Sequence, residues 1–108
     1  MEIKVEKNKN IAIVELKGRL DVTTSASLEK AFNDILPEKP AKVLVECRQL
    51  EYISSAGLRV LLAAAKKFKP AEISLSGLSQ NVKQVFELSG FTSIFAIYAS
   101  RDEALAAM

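Results

Sequence analysis

Residues 42–68 read KVLVECRQLEYISSAGLRVLLAAAKKF, and the change of period inside this stretch decides the fold. KVLVEC (42–47) is a short, β-branched apolar run, the pattern of a strand buried on both faces. After a short loop, Leu58, Leu61, Leu62, Ala65 and Phe68 recur at helical spacing. The spacing predicts a helix that starts near Ser55 and stops at Pro70. A buried strand that runs through a loop into an amphipathic helix is the opening half of a β-α-β unit.

The same alternation extends in both directions. Upstream, residues 2–7 alternate with Ile3 and Val5 on one side, and IAIVEL (11–16) is a denser apolar run. Both read as strands joined by a polar turn at Lys7 to Asn10, and Gly18 then breaks the pattern. From Thr24 the period becomes helical, with Leu28, Ala31, Phe32 and Ile35 on one face. Thr23, Thr24 and Ser25 are all suitable N-caps, and Pro37 and Pro40 end the helix. Downstream, EISLS (72–76) reads as a strand and Asn81 to Leu88 as a helix presenting Val82, Val85 and Phe86. Gly90 is placed to terminate that helix, and SIFAIY (93–98) reads as the last strand. Arg101 to Met108 reads as a terminal helix opened by Ser100, with Asp102 and Glu103 in its first turn. The order β-β-α-β-α-β-α-β-α predicts right-handed crossovers in one α/β domain spanning residues 1–108. Its mixed, largely parallel sheet has about five strands, with about four helices.

Composition narrows the function. A chain of 108 residues, 49% apolar and 26% charged, supports one packed core rather than two or a disordered chain. The net charge of +2 is spread over interspersed signs, without the basic stripe of a nucleic-acid binder, so no direct nucleic-acid contact is expected. The longest apolar stretch, Val60 to Ala65, is far short of the ~20 residues of a membrane helix, and MEIKVEKNKN is not a signal peptide. A cytoplasmic protein without membrane insertion is expected. The lone Cys47 excludes an internal disulfide and reads as a core thiol.

The inventory of catalytic groups is thin. The sequence contains no His, no GxxxxGK[ST] loop and no GxGxxG, and its carboxylates are scattered singly. Neither an enzyme nor a metal or cofactor site is expected. The informative segment is Ser54-Ser55-Ala56-Gly57, where a loop after a parallel strand opens a helix. A hydroxyl there meets unpaired backbone N–H groups and the positive end of the helix dipole, which suit a phosphoester. A serine at that point is also a favoured N-cap, and on physical grounds alone capping stands ahead of phosphorylation. Gly57 in the first helical turn implies some further demand, such as close approach of a partner or of backbone.

Nearly the whole chain resembles the STAS-domain anti-sigma factor antagonists. The similarity is carried by Gly18-Arg19-Leu20-Asp21 before the first helix, by Ser54-Ser55-Ala56-Gly57-Leu58 opening the second, and by LSQNVKQVFELSGF (78–91). The resemblance implies that Ser55 is the phosphoacceptor, with Ser54 as the alternative, because Ser54 stands where the family often has Asp. It implies a partner-binding surface comprising Asp21, Ser54, Ser55, Gly57 and Leu58, Asp21 also being open to a purely local role as a loop cap. It further implies a bacterial partner-switching cycle. The unphosphorylated domain binds an anti-sigma factor that is an ATP-dependent serine kinase, which frees a sigma factor. Phosphorylation weakens that complex, and a PP2C-type phosphatase resets it. A monomer or weak dimer is expected. The alternative is an unphosphorylated STAS scaffold subunit of a membrane transport assembly.

Overall fold

The computed structural model describes residues 1–108. The chain opens with an antiparallel hairpin of β1 (Glu2–Asn8) and β2 (Ile11–Leu20). Lys9 takes the left-handed conformation that its tight turn requires. Three helical crossovers then add β3 (Lys42–Ile53), β4 (Glu72–Ser76) and β5 (Ala96–Tyr98), each parallel to its predecessor, in the spatial order β1-β2-β3-β4-β5. The crossover helices are α1 (Ser25–Ile35), α2 (Ser55–Lys67) and α3 (Gln80–Leu88), and α4 (Arg101–Ala107) closes the chain.

The period-2 alternation of the strands divides the molecule into layers. Ala12, Val14 and Leu16 of β2, with Val43, Val45 and Cys47 of β3, point to one face and form the main core with Leu28, Phe32, Leu61, Val82 and Phe86 of the crossover helices. Ile13 and Leu44 point to the other face, where they meet Ala104 of α4. Three helices therefore cover one face, and a single short helix covers part of the other. No helix is long and apolar enough to cross a membrane.

Three boundaries differ from the sequence expectation. β2 does not end at Leu16, because Gly18, at φ 107°, carries the chain through an irregular register to Leu20. β3 likewise continues past Cys47 to Ile53, pairing Leu50 with Gly18, Tyr52 with Arg19 and Ile53 with Leu20. Beyond Glu46, which pairs with Ser76 at the end of β4, only β2 still pairs with β3. β5, expected over 93–98, is confined to 96–98, since Gly90 takes a left-handed conformation and Phe91–Ser93 form a 3-10 turn. That turn delivers Phe95 edge-on to Phe86, with ring centroids 5.9 Å apart.

Cys47 is a core residue, and burial, with the nearby Glu46 charge, holds its thiol far above the ordinary range. Glu46 is itself buried on the opposite face. Its Oε1 accepts from the Arg48 N–H at 2.9 Å and its Oε2 from the Ser76 hydroxyl at 3.0 Å.

Candidate functional site at the ends of two strands

The long strands β2 and β3 end side by side, and the site forms where they stop. Leu20 pairs with Ile53, and the Ser54 N–H donates to the Leu20 carbonyl at 2.8 Å, so the two chains leave the sheet together. Asp21 and Ser54, far apart in sequence, are thereby the first residues beyond one strand pair.

The two adjacent serines take different positions. Ser54 has the extended backbone of an N-cap (φ −97°, ψ 172°), and its Oγ accepts from the Gly57 N–H at 3.2 Å. Ser55 is the first helical residue. Its side chain is exposed, and it makes no hydrogen bond within the chain. Arg59, also exposed, follows one turn later on the same helix face as Ser55.

Gly57 and Leu58, both expected in the partner-binding set, are buried in this structure. A Cβ on Gly57 would lie 2.6 Å from Cγ and 2.9 Å from Cδ2 of Leu20, and 3.2 Å from Cγ1 of Ile53. The glycine lets α2 press its first turn onto the strand ends, which meets the further demand its position implied. Leu58 is only 7% exposed and belongs to the main core. Both residues pack the loop against the strand ends and the core.

Asp21 organises the turn that opens α1. Its Oδ1 accepts from the Thr23 hydroxyl at 2.7 Å and from the backbone N–H groups of Thr23 and Thr24 at 3.0 and 3.2 Å. Its main-chain carbonyl accepts from the Ser25 N–H at 2.9 Å. Thr24 occupies the cap position without capping α1 by its side chain, because its hydroxyl accepts from the Asp21 N–H and donates to the Arg19 carbonyl. Asp21 thus serves the N–H groups leading into α1 and that of its first residue, Ser25, while the Ser27 N–H donates to the Thr24 carbonyl. The Thr23 hydroxyl bond, with the Thr24 and Thr23 N–H bonds adding, holds the Asp21 carboxyl below its usual value against a desolvation that raises it. Oδ2 has no partner within the chain and faces outward from a half-exposed position.

Three exposed side chains near these strand ends were missed by sequence reasoning. Val22, at the tip of the Asp21 turn, is 76% exposed. Tyr52, 41% exposed, carries the Arg19 guanidinium 4.3 Å from its ring centroid, in the cross-strand pair formed by the extended part of β2 and β3. An apolar residue in the polar turn DVTTS was the only signal for Val22. The Arg19–Tyr52 pair depends on a strand extension that the hydrophobic pattern does not carry.

The architecture is a five-stranded α/β module with an exposed hydroxyl at a helix N-terminus beside an acidic turn. A family profile described as the STAS domain matches residues 2–104. The chain is 36% identical to BtrV of Bordetella bronchiseptica, which is named provisionally as an anti-sigma factor antagonist, over 99% of this chain and 94% of BtrV. The chain belongs to the STAS domain family. Among solved structures, an anti-sigma factor antagonist from Mycobacterium paratuberculosis superimposes with a TM-score of 0.92 at 24% identity, covering 98% of this chain and 92% of that one. The phosphorylated form of the Bacillus cell fate determinant SpoIIAA has the same fold, with a TM-score of 0.75 at 16% identity over 98% of each chain.

Proposed function

We propose that this chain is an anti-sigma factor antagonist of the partner-switching kind, working in the cytoplasm as a substrate and competitor rather than as a catalyst. Its unphosphorylated form binds an anti-sigma factor that is itself an ATP-dependent serine kinase, and a sigma factor is released. Phosphorylation of Ser55 weakens that complex, and a PP2C-type phosphatase restores it. The observation that carries this reading is the division between the two serines. Ser54 spends its hydroxyl oxygen on the helix cap, whereas Ser55 is exposed and unbonded at the first helical position. The antagonist names of the relatives support the general role.

The physics of the switch is adequate. A phosphoserine carries about −1.5 to −2 charge. At the first position of α2 it meets the positive end of the helix dipole and stands one turn from Arg59, so the domain tolerates it folded. One new like-charge contact at 4 Å across an interface costs roughly 4 kcal/mol at an effective dielectric of 20. That is on the order of a thousandfold in affinity. In this reading Asp21 Oδ2, Val22 and the Arg19–Tyr52 pair supply contact surface around Ser55, while Gly57 and Leu58 act through positioning.

The test is a capture from lysate of the source cell with wild-type, Ser55→Ala and Ser55→Asp baits, read by mass spectrometry, with intact-mass analysis of cell-derived protein. Capture of a small ATP-binding serine kinase by wild type and Ser55→Ala, but not by Ser55→Asp, supports the switch. Equal capture by all three, with no phosphoryl adduct at any growth stage, overturns it. Transporter subunits on every bait would identify the scaffold role instead.

A further inference from the structure

The two edges of the sheet are not protected alike. β5 ends the sheet with three residues, too short to offer another chain much to pair with. β1 ends it with seven, Glu2 to Asn8, without proline, glycine or bulge, in unbroken register with β2. Beside this edge, an open groove of about 540 Å³ runs between β1 and α1, lined half by apolar side chains, Ile3, Val5 and Ile35 among them, and half by polar ones that include Lys7 and Glu38. Val5, at the middle of the strand, is 43% exposed.

We propose that β1 is a dimerisation edge, and that its occupant is β1 of a second copy of this chain, paired antiparallel about Val5. The argument rests on register. Pairing about Val5 matches all seven residues and sets Lys4 of each copy opposite Glu6 of the other, with Ile3 against Lys7 and Glu2 against Asn8. Slipping the partner by two residues in one direction sets Lys4 against Lys4 and Glu2 against Glu6. In the other direction it sets Glu6 against Glu6. Slips of four pair only three residues, and odd slips put side chains on the wrong faces. The longest register is therefore also free of like-charge contacts, which are unfavourable when directly opposed.

The side chains are available for this pairing. Lys4 makes no ion pair, its inner neighbour being Glu15 across the β1–β2 hairpin. Glu6 offers Oε1, because Arg101 engages only Oε2, at 2.7 Å. On the other face the two Val5 side chains meet at the two-fold axis, flanked on each side by Ile3 of one copy against Lys7 of the other. The result is a continuous ten-stranded sheet built from two five-stranded ones. The strands of the two copies run in opposite directions, so the two Ser55 sites lie at opposite ends and both stay accessible.

The test is sedimentation velocity of the full chain from about 10 µM to about 1 mM, where mass action separates a weak dimer from a monomer. Lys4→Glu and Glu6→Lys each place like charges at both crossing points, and each is expected to weaken dimerisation roughly 10- to 100-fold. An equimolar mixture of the two variants, and the double variant Lys4→Glu/Glu6→Lys, restore opposite charges and recover the dimer. Lys4→Glu leaves the Arg101–Glu6 pair intact but sets a carboxylate opposite Glu15 within the hairpin, so the mixture is the decisive arm: each chain there keeps its own substitution, and a recovered dimer cannot come from restored folding. A wild type that stays monomeric throughout, or single variants that dimerise like wild type, or a mixture that recovers nothing, overturns the proposal.

Discussion

Replacing each of the two serines at the start of α2 by alanine separates their tasks. Ser54→Ala removes the oxygen that accepts from the part-buried Gly57 N–H and leaves that donor without a partner in the chain. Loss of an N-cap of this kind costs about 1 kcal/mol, within a range of roughly 0.5–2. For a chain of 108 residues, an unfolding entropy of about 2.1 cal/mol/K per residue totals roughly 0.23 kcal/mol/K, so the expected fall in Tm is about 4 °C. Ser55→Ala removes an exposed hydroxyl with no partner and gains slightly in helix propensity, so its stability should stay within about 0.5 kcal/mol of wild type. Paired calorimetric or circular-dichroism melts read both effects. Phosphorylation by the cognate kinase, followed by peptide mapping, gives the opposite ranking, with Ser55→Ala unmodified and Ser54→Ala modified. A stable Ser54→Ala variant beside a destabilised Ser55→Ala variant would refute the assignment of cap and acceptor.

Gly57→Ala places a Cβ 2.6 Å from Leu20 Cγ, so overpacking of about 1–3 kcal/mol should exceed the helix-propensity gain of under ~1 kcal/mol. A denaturant midpoint no lower than wild type would show that Leu20 can yield. Asp21→Asn tests the acidic turn. The Asp21 carboxyl is held below its ordinary value in the folded chain, so its charge adds stability above the unfolded pKa, and that stability is lost as pH falls through the folded one. Wild type should therefore exceed Asp21→Asn in Tm at neutral pH, with the gap closing as pH falls below the ordinary aspartate range, about 4. A gap independent of pH would contradict this. Glu46→Ala strips the acceptor from the buried Ser76 hydroxyl and the Arg48 N–H, at a cost of about 1–3 kcal/mol by urea unfolding. Glu46→Gln, which keeps an acceptor, should lose less.

Element type and order were legible because the hydrophobic period switches cleanly between 2 and 3.6 along the chain. What escaped was structure that periodicity does not encode. In RQLEYI (48–53) only Leu50 and Ile53 are buried, three apart, so the stretch lacks the alternation of a strand although Gln49, Leu50, Tyr52 and Ile53 pair with β2 across two register shifts. Gly18 looked like a break and is instead the irregularity that carries β2 onward. SIFAIY looked like a strand because it is apolar, but Phe95 leaves the sheet to meet Phe86. The site followed the same rule. Ser54, Ser55 and Gly57 announced themselves through local helix-start chemistry. Asp21 came only from resemblance to a family, since its neighbour Ser54 is brought to it by the strand ends. Arg19 and Tyr52 were silent, because their pairing exists only once both strands run past their hydrophobic segments, and Val22 showed only as an apolar residue in a polar turn.

That extension bears on how such a site can act. The Ser54 N–H bond to Leu20, the Gly57 contact with Leu20 and the Asp21 turn tie α2, β2 and α1 together at a single junction. A loop held on three sides has little freedom to answer a modification by rearranging. Ser55 stands just outside this junction, on the first residue whose side chain is not part of it. A phosphate there adds charge to the surface without removing any bond that holds the surface in shape. The few kcal/mol that separate bound from free must then come from the interface, through the charge itself, and the domain's fold should be unchanged between its two states. Modification of Ser54 would instead open the helix cap, and the same chemistry would act through local unfolding.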